Sequence, residues 1–261
     1  MENRHRVPFM RIGAPVIFGL VLVSLWFIAT ATGFVDTHFL PTPSATFNRL
    51  GAGVSDGYLL SALGTSVVEA LLGTICATLV GVPLGYVIAK SRFAAALLHP
   101  YIAASQAIPA VAIAPLLTIW IGYGLMPIVV LCTLMVVFPM IVTSSVALAS
   151  IDPSLMDAAK LDGATTWQLL RYIEFPLALP MVISGLRTGA TLSISGAIVG
   201  EMIIGGRGLG LQLTSAQGAA DVQGMFAIIV LLALAAAVLY SAFLAAERAA
   251  ATHAGFEGSR R

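Results

Sequence analysis

Long apolar runs separated by short polar stretches are the dominant pattern along this chain. A helix needs roughly 20 apolar residues to cross the hydrocarbon core of a bilayer. By that measure the pattern predicts an all-α membrane protein with six spanning helices. The predicted spans are residues 12–34, 60–89, 94–121, 125–149, 177–203 and 223–246.

Prolines in the third and fourth predicted spans bear on the geometry of those helices. Pro109 and Pro115 fall within the third predicted span, and Pro127 and Pro139 fall within the fourth. A proline removes one helical hydrogen bond, which membrane helices tolerate where neighbouring groups satisfy the freed carbonyl. We therefore expect the third span, which is also the longer of the two, to be kinked or broken.

The composition agrees with a membrane location. Hydrophobic residues make up 59% of the chain and charged residues 10%, and the mean hydropathy is +0.97. Soluble domains carry about 25% charged residues, so a soluble fold is excluded. The net charge of +1 gives no electrostatic basis for a nucleic-acid partner. Cys76 and Cys132 both lie in apolar runs, which is typical of small buried side chains rather than of a disulfide.

Basic residues are distributed unevenly between the predicted loops. If the N-terminus is cytoplasmic, only Arg49 and Arg207 lie outside, and Arg187 lies within a span. Cytoplasmic loops of membrane proteins carry the excess of lysine and arginine, so this pattern predicts that both termini are cytoplasmic. The basic residues on the predicted cytoplasmic side are Arg4, Arg6, Arg11, Lys90, Arg92, Lys160, Arg171, Arg248, Arg260 and Arg261.

Two interpretations of the first apolar run remain open. Three arginines precede it, and Ala29-Thr30-Ala31 resembles a signal-peptidase site. However, the run from Ile12 to Ala29 is longer than the core of about 7–15 residues that is typical of a signal peptide. We therefore favour a retained first helix over a cleaved signal.

A polar, charged segment separates the fourth and fifth predicted spans. Asp152 followed by Pro153 is a good start for a short helix, because an aspartate caps the first turn and proline fits the first helical position. Gly163 can adopt the left-handed conformation that ends such a helix. This part of the segment is therefore predicted to form about two helical turns.

The same segment predicts a second short helix. Thr165 and Gln168 have the spacing of a capping box, so a helix should begin there and continue through Tyr172. Pro176 should stop it, because a residue before proline avoids helical geometry. Two capped helices outside the bilayer form either an ordered connector or a docking element for another protein, and the residues alone leave both open.

The segment resembles a known motif. Residues 157–176 follow the pattern E-A-A-x3-G-x9-I-x-L-P, with Asp157 in place of glutamate and Phe175 in place of leucine. This is similar to the "EAA" loop of the membrane permease subunits of binding-protein-dependent ABC importers. The resemblance extends from about residue 57 to residue 248.

Membership of that family implies a fold, a mechanism and partners. The fold would be that of a type I importer permease, in which the loop docks on a cytoplasmic ATPase subunit and transmits its motion to the spans. An extracytoplasmic substrate-binding protein, a second permease copy and the bilayer of the bacterial inner membrane would be further partners. The residues implied in ATPase coupling are Asp157, Ala158, Ala159, Lys160, Gly163, Ile173 and Pro176.

The resemblance also implies a division of the chain. Residues 1–56 would hold the N-terminal tail, the first helix and an external loop. Residues 57–248 would be the transmembrane domain, with the coupling loop at 150–176. Residues 249–261 would form a cytoplasmic tail.

Three further stretches resemble one branch of the family. "FLPTP" at 39–43 and "SQAIPAVAIAPLLTIWIGYG" at 105–124 are similar to the nitrate/sulfonate/taurine branch. "GAIVGEMIIGGRGLG" at 196–210 is similar to members that import thiamine precursors or riboflavin as well as sulfonates. The implied solute is a sulfonate, taurine or nitrate-like anion, or a thiamine-precursor or riboflavin-like compound.

Several activities lack the residues they need. The pattern G-x-x-x-x-G-K-[ST] is absent, because Lys90 and Lys160 are the only lysines and each follows an alanine. A separate subunit would therefore supply ATP hydrolysis, and the chain is not predicted to be an enzyme. No histidine lies in the middle of a span and no span contains an aspartate, so we predict no catalytic site, metal or cofactor. The alternative function is a stand-alone secondary transporter or channel.

Four polar residues in or near spans are candidates for the translocation path or the bundle interior: Glu69, Gln106, Arg187 and Glu201. Charges in hydrocarbon are costly and usually face the bundle interior or a water-filled cavity. We favour an interhelical ion pair between Glu69 and Arg187 over direct contact with the solute.

Small residues mark one side of the second span. Gly73 and Gly81 share a face, and Gly85 follows one turn later. Helices in lipid associate through such small-residue surfaces, so these glycines predict either close packing within the chain or a dimer contact.

Overall fold

The computed structural model describes residues 7–253, which are helical without any strand over that range. Short loops, one 3₁₀ turn at Ala110–Ile113 and one π-helical turn at Leu170–Glu174 connect the α-helices. The α-helices are α1 (Val7–Ala31), α2 (Pro43–Ser55), α3 (Tyr58–Lys90), α4 (Arg92–Ala107), α5 (Ala114–Ile121), α6 (Leu125–Ala149), α7 (Pro153–Leu161), α8 (Thr166–Leu169), α9 (Phe175–Ile204), α10 (Leu209–Gly218) and α11 (Val222–His253).

Four of the six predicted spans are confirmed as helices long and apolar enough to cross a membrane. The first predicted span is helical as α1, of which Ile17–Ala31 is a shorter apolar stretch, so its crossing of the membrane stays a prediction. The terminal basic residues that supported the orientation lie outside the described residues. The four confirmed spans are Tyr58–Lys90, Leu125–Ala149, Thr166–Ile204 and Val222–Ala250.

The third predicted span is broken, as the prolines predicted. Arg92–Ala107 and Ala110–Ile121 meet at an angle of 83°. Ile108, the residue before Pro109, is extended, because the proline ring disfavours helical geometry there. Pro115 and Pro139 cause no such break: Pro115 lies in the first turn of α5, where no hydrogen bond is lost, and α6 continues through Pro139.

One prediction in the polar segment is wrong. The helix that begins after Thr165 does not end before Pro176 but passes into α9 through the π-helical turn at Leu170–Glu174. The N–H of Phe175 donates to the carbonyl of Leu170, five residues earlier. This wider turn reduces the conflict that a proline causes in an α-helix, so Thr166–Ile204 is one continuous helical rod.

The chain folds into two compact units. The first comprises the residues up to Leu60 together with Leu213–Leu231. Within it, Trp26 Nε1 donates a hydrogen bond to the carbonyl of Pro41 at 2.9 Å, and the Trp26 ring packs against Phe226.

An ion pair also stabilises this first unit. The guanidinium of Arg49 contacts the carboxylate of Asp221 at 2.9 Å, and Asp221 accepts a hydrogen bond from the N–H of Gly224 at 2.8 Å. Burial raises the pKa of Asp221, but the hydrogen bonds from Gly224 and Arg49 outweigh burial, and the net effect is a pKa below the ordinary value of an aspartate.

We expect Asp221→Asn to lower the free energy of unfolding at pH 7 by about 0.2–1 kcal/mol, the range of a half-exposed ion pair. Because the pKa is lower in the folded than in the unfolded chain, this contribution is present above about pH 4 and is lost as the pH falls through the folded value. Thermal unfolding in detergent of the wild type and the variant, measured from neutral to acid pH, tests this. Asp56→Asn, at an exposed carboxylate of the same unit, is the control. A difference in stability between the wild type and Asp221→Asn that stays constant from neutral pH to the lowest pH at which both remain folded would contradict the assignment.

The second unit comprises Ser61–Gln212 and the residues from Leu232 onward, and α6 lies at its centre. Helix α3 approaches α6 through the three glycines. A Cβ atom on Gly73 would lie 2.2 Å from Cys132 Cβ, one on Gly81 would lie 2.9 Å from Met140 Cβ, and Gly85 is equally close to Ser144. Packing within the chain therefore accounts for the glycine face of α3.

This packing predicts that Gly73→Ala destabilises the protein. The added methyl group meets the Cβ of Cys132, which cannot move without its backbone, and overpacking of this kind costs about 1–3 kcal/mol. Gly64→Ala on the same helix is a matched control, because nothing lies within 4 Å of its Cβ position. The thermal unfolding midpoint in detergent is the measurement. Equal midpoints for the two variants would show that α3 and α6 are not in close contact.

Candidate coupling segment and buried polar clusters

Residues 150–176, here called the polar segment, begin with the predicted cap. Asp152 Oδ1 accepts hydrogen bonds from the backbone N–H and the hydroxyl of Ser154, both at 2.8 Å, and Pro153 occupies the first turn of α7. The hydrogen bonds from Ser154 lower the pKa of Asp152. The carboxylate therefore stays ionised at neutral pH, and its negative charge stabilises α7 because it lies at the positive N-terminal end of the helix dipole.

The turn between α7 and α8 also follows the prediction. Gly163 has φ of +85°, and nothing lies within 4 Å of where its Cβ would be, so the glycine is required by the backbone conformation and not by space. The following helix starts with a capping box: Thr165 N–H donates to Gln168 Oε1 at 2.7 Å, and Gln168 N–H donates to Thr165 Oγ1.

Five large apolar or aromatic side chains of the polar segment face outward. The exposed fraction is 89% for Leu161 and 68% for Trp167. Leu155, Tyr172 and Phe175 are also exposed. These side chains lie on a segment rich in polar residues, and exposed apolar side chains at such a place are typical of a protein contact.

The seven residues predicted for coupling divide into two groups by burial. Asp157, Ala158, Lys160 and Gly163 are exposed, whereas Ala159, Ile173 and Pro176 are partly buried. Lys160 Nζ contacts Asp157 Oδ1 at 3.0 Å, an exposed pair of the kind that contributes little to stability.

An ion pair at the end of the polar segment, between an exposed lysine and a buried glutamate, was not predicted. Lys90, the last residue of α3, donates to the carboxylate of Glu174, which is 2% exposed. A cavity of about 520 Å³ lies beside the pair, and α7 forms another of its walls through Met156 and Asp157. The two partners are 84 positions apart in the sequence, and no local pattern signals their contact.

The predicted pair between Glu69 and Arg187 is wrong. The carboxyl group of Glu69 lies beside that of Glu201. Arg187 instead contacts Glu247 Oε2 at 2.7 Å, and its guanidinium lies over the ring of Tyr240. Arg187 and Glu201 are on one helix, and 14 residues of helix separate them by about 21 Å, so a residue next to Glu201 cannot reach Arg187.

Glu201 anchors the glycine-rich turn that follows α9. Its side chain is fully buried, with Oε1 accepting from the Ser66 hydroxyl at 2.6 Å and Oε2 accepting from the N–H of Gly210. The N–H of Leu209 in turn donates to Ser66 Oγ at 2.9 Å. A Cβ on Gly208 would lie 2.0 Å from Glu201 Oε1, so the turn needs glycine to close around the carboxylate.

One carboxylate oxygen of Glu69 accepts no hydrogen bond from the described residues. Glu69 is 2% exposed, and the oxygen without a partner within residues 7–253 is its Oε2. It lines a cavity of about 320 Å³ together with Thr65, Leu125 and Arg207. Gln106, another candidate for the path, is exposed near the end of α4, beside the break in the third span.

We expect Glu201→Ala to destabilise the protein by about 2 kcal/mol or more, because it removes a buried acceptor of two hydrogen bonds, from Ser66 and Gly210, and leaves a cavity in place of a fully buried side chain. Met202→Ala, at the neighbouring and partly exposed position, is the control and should change stability less. Thermal unfolding in detergent compares the two. An Ala variant at 201 that is as stable as the control would exclude an anchoring role.

Comparison with known proteins gives a consistent result. The family described as "Binding-protein-dependent transport system inner membrane component" matches residues 81–251, which include the whole polar segment. The riboflavin transport system permease protein of Chloroflexus aurantiacus is 38% identical over 92% of this chain and 89% of that protein.

More distant relatives extend the same similarity. The taurine transport system permease protein of Escherichia coli is 29% identical over 75% of this chain and 73% of its own length. The formylaminopyrimidine transport permease protein of Halalkalibacterium halodurans is 28% identical, covering 84% of this chain and 87% of that protein.

A solved structure shares the fold. A chain of the MetNI methionine ABC transporter, in an inward-facing conformation, matches with a TM-score of 0.67 and 19% identity. The match covers 74% of this chain and 96% of that chain. The architecture described above is therefore that of a type I importer permease.

Proposed function

The chain belongs to the family of binding-protein-dependent transport system inner membrane components, and from this premise we propose that its polar segment couples a separate ATPase to solute movement. The chain is a multi-pass membrane permease subunit of an ABC importer. The proposal concerns how this subunit receives energy, what it carries and with which proteins it assembles.

The observation that carries the proposal is the exposed apolar surface of the polar segment. Two capped helices hold Leu161 and Trp167 outward, where the rest of the described chain does not cover them. Aromatic side chains of this kind are enriched at the centres of protein interfaces. A groove on a cytoplasmic ATPase subunit would cover them.

The mechanism is alternating access driven by a rigid lever. ATP binding closes a pair of ATPase subunits, and the docked polar segments move with them. Because α8 continues through the π-helical turn into α9, a displacement of the segment is delivered directly to a spanning helix. Both termini lie in the cytoplasm in this arrangement, on the same side as the ATPase.

The assembly contains more than this chain. A second copy of the permease completes the path, because one bundle of this size encloses little space, and two copies present two polar segments to two ATPase subunits. An extracytoplasmic binding protein delivers the solute to the outer surface, in keeping with the family's description.

The solute is a small organic compound of the classes for which the relatives are named. The identity of 38% over 92% of the chain favours a riboflavin-like compound, and a thiamine precursor or a sulfonate such as taurine comes next. Glu69 and Gln106 are the proposed contacts in the path. Arg187 and Glu201 are occupied by partners within the bundle, and we assign them to the bundle interior.

A stand-alone secondary transporter or channel is not favoured. The named relatives with similar length are permeases of ABC systems, and the chain covers most of each of them. A stand-alone carrier would also leave the polar segment without a partner for its exposed surface.

Copurification of an ATPase from native membranes tests the proposal. We expect a P-loop ATPase to copurify with the wild type in mild detergent, and Trp167→Ala to weaken its capture by about 30-fold, equivalent to an interface hot spot of about 2 kcal/mol. Gly163→Asp should have a comparable effect, because an L-residue at φ of +85° distorts the turn that orients the two helices.

Two matched variants control for unspecific damage. Trp120→Ala removes an equally exposed tryptophan on α5, and Gly33→Asp strains a glycine of similar φ outside the polar segment. Both should retain the ATPase. Solute uptake that persists without any ATPase, or capture that is unaffected by both polar-segment variants, would overturn the proposal.

A further inference from the structure

The Lys90–Glu174 pair connects the polar segment to a spanning helix at one defined point. Lys90 is the last residue of α3, and Glu174 ends the π-helical turn that leads into α9. Of the ion pairs within residues 7–253, this is the one that joins the polar segment to a span. The Lys90 ammonium also lies 5.8 Å from the centre of the Tyr86 ring, one turn earlier on α3.

The surroundings of the pair are loosely packed. The cavity of about 520 Å³ separates α7 from the ends of α3 and α6, with Leu148 and Ile151 on one side and Met156 on the other. Interiors transmit displacement well where they are close-packed, and a void lets side chains move without pushing their neighbours. A displacement of α7 would therefore be absorbed largely by the cavity, whereas the ion pair at the cavity edge ties the π-helical turn directly to the end of α3.

Glu174 is the buried partner of the Lys90–Glu174 ion pair. Its side chain is buried, whereas the side chain of Lys90 is partly exposed, so the carboxylate depends on the lysine for its neutralisation. Removing the lysine would leave the buried carboxylate of Glu174 without a compensating charge, which is unfavourable. The π-helical turn places this charge at the boundary between the polar segment and α9. Such turns occur frequently at functional positions.

Lys90 in turn belongs to a rigid body. The close approach of Gly73, Gly81 and Gly85 to α6 leaves no space for α3 to slide independently along its neighbour. A force on the end of α3 is therefore shared by α3 and α6 together.

We propose that Lys90 and Glu174 form a positioning pair that transmits movement of the polar segment to the α3–α6 body. This inference rests on the proposed function, since it assumes that an ATPase moves the polar segment. The pair touches neither nucleotide nor solute. Helix α9 packs directly against α6, so the role of the pair is to make the end of α3 follow as well when the polar segment and α9 are displaced.

A spin label on the native Cys76 tests this without knowledge of the solute. Cys76 lies on α3 and is exposed, whereas Cys132 is fully buried, so labelling is directed to α3. The copurified permease–ATPase complex is labelled, and the spectrum is compared without nucleotide and with ATP and vanadate. We expect the wild type to show a nucleotide-dependent change in the mobility of the label.

Charge reversal then separates coupling from docking. Lys90→Glu and Glu174→Lys should each reduce the nucleotide-dependent change by about fivefold or more, a coupling typical of contacting residues, and the double exchange should restore most of it. Lys90→Arg keeps the charge and should retain the change. A pair that only stabilised the fold would alter the unfolding midpoint and leave the spectral change in the surviving complex intact.

The outcomes distinguish this inference from the proposed function. Variants that retain the ATPase and still show the full nucleotide-dependent change would overturn the positioning role, as would a wild-type complex in which the label does not respond to ATP. Glu174→Gln, which removes the charge but preserves shape and hydrogen bonding, provides the same comparison if a reversed charge prevents folding. Failure to copurify any ATPase with the wild type would instead count against the proposed function.

Discussion

A charge buried in a helical bundle needs a partner, and this requirement organises the second unit around α9. Glu174 at the start of this helix, Arg187 in its first half and Glu201 near its end follow one another at intervals of about 20 Å. Each finds its partner on a different part of the chain: Lys90 at the end of α3, Glu247 on α11, and Ser66 with the glycine-rich turn. Helix packing in lipid lacks the hydrophobic effect that drives it in water, so these polar contacts and the small-residue face of α3 fix which helices are neighbours.

The parts of the structure that the sequence predicted are those decided by neighbouring residues. The cap at Asp152, the left-handed Gly163, the capping box at Thr165 and the break before Pro109 each depend on a few adjacent positions, and all four are confirmed. The spans were predictable for the same reason, because their apolar length is a local property. Pro176 is the informative exception. The rule that a helix ends before proline holds for α-helical turns, and the π-helical turn that precedes Pro176 provides a local geometry that the rule does not consider.

The contacts that the sequence did not predict join distant residues. Glu69 and Arg187 were predicted to pair because their charges are opposite and their depths in the bilayer are comparable. Depth alone, however, does not determine on which face of its helix a side chain lies or which helix packs against that face. The structure places Glu69 beside another acid and Arg187 beside Glu247. Lys90 was considered for the orientation of the chain, and Glu174 occupies an unspecified position of the motif. Their partnership depends on the antiparallel alignment of α3 with α9, which no pattern within either helix specifies.

The two ends of the α3–α9 contact differ in a way that bears on movement. At the end near Glu201, both carboxylate oxygens are occupied, the glycine-rich turn is closed around them and no side chain could be added at Gly208. At the other end a single ion pair stands beside a large cavity. Between these ends α9 packs against α6, where glycines of α9 closely approach side chains of that helix. With respect to α3, the end of α9 beside the cavity is the less constrained one, so displacements of the polar segment have their largest effect near Lys90. A pair between an exposed lysine and a buried carboxylate suits this position, because it connects the two helices and leaves the surrounding space free for the segment to move.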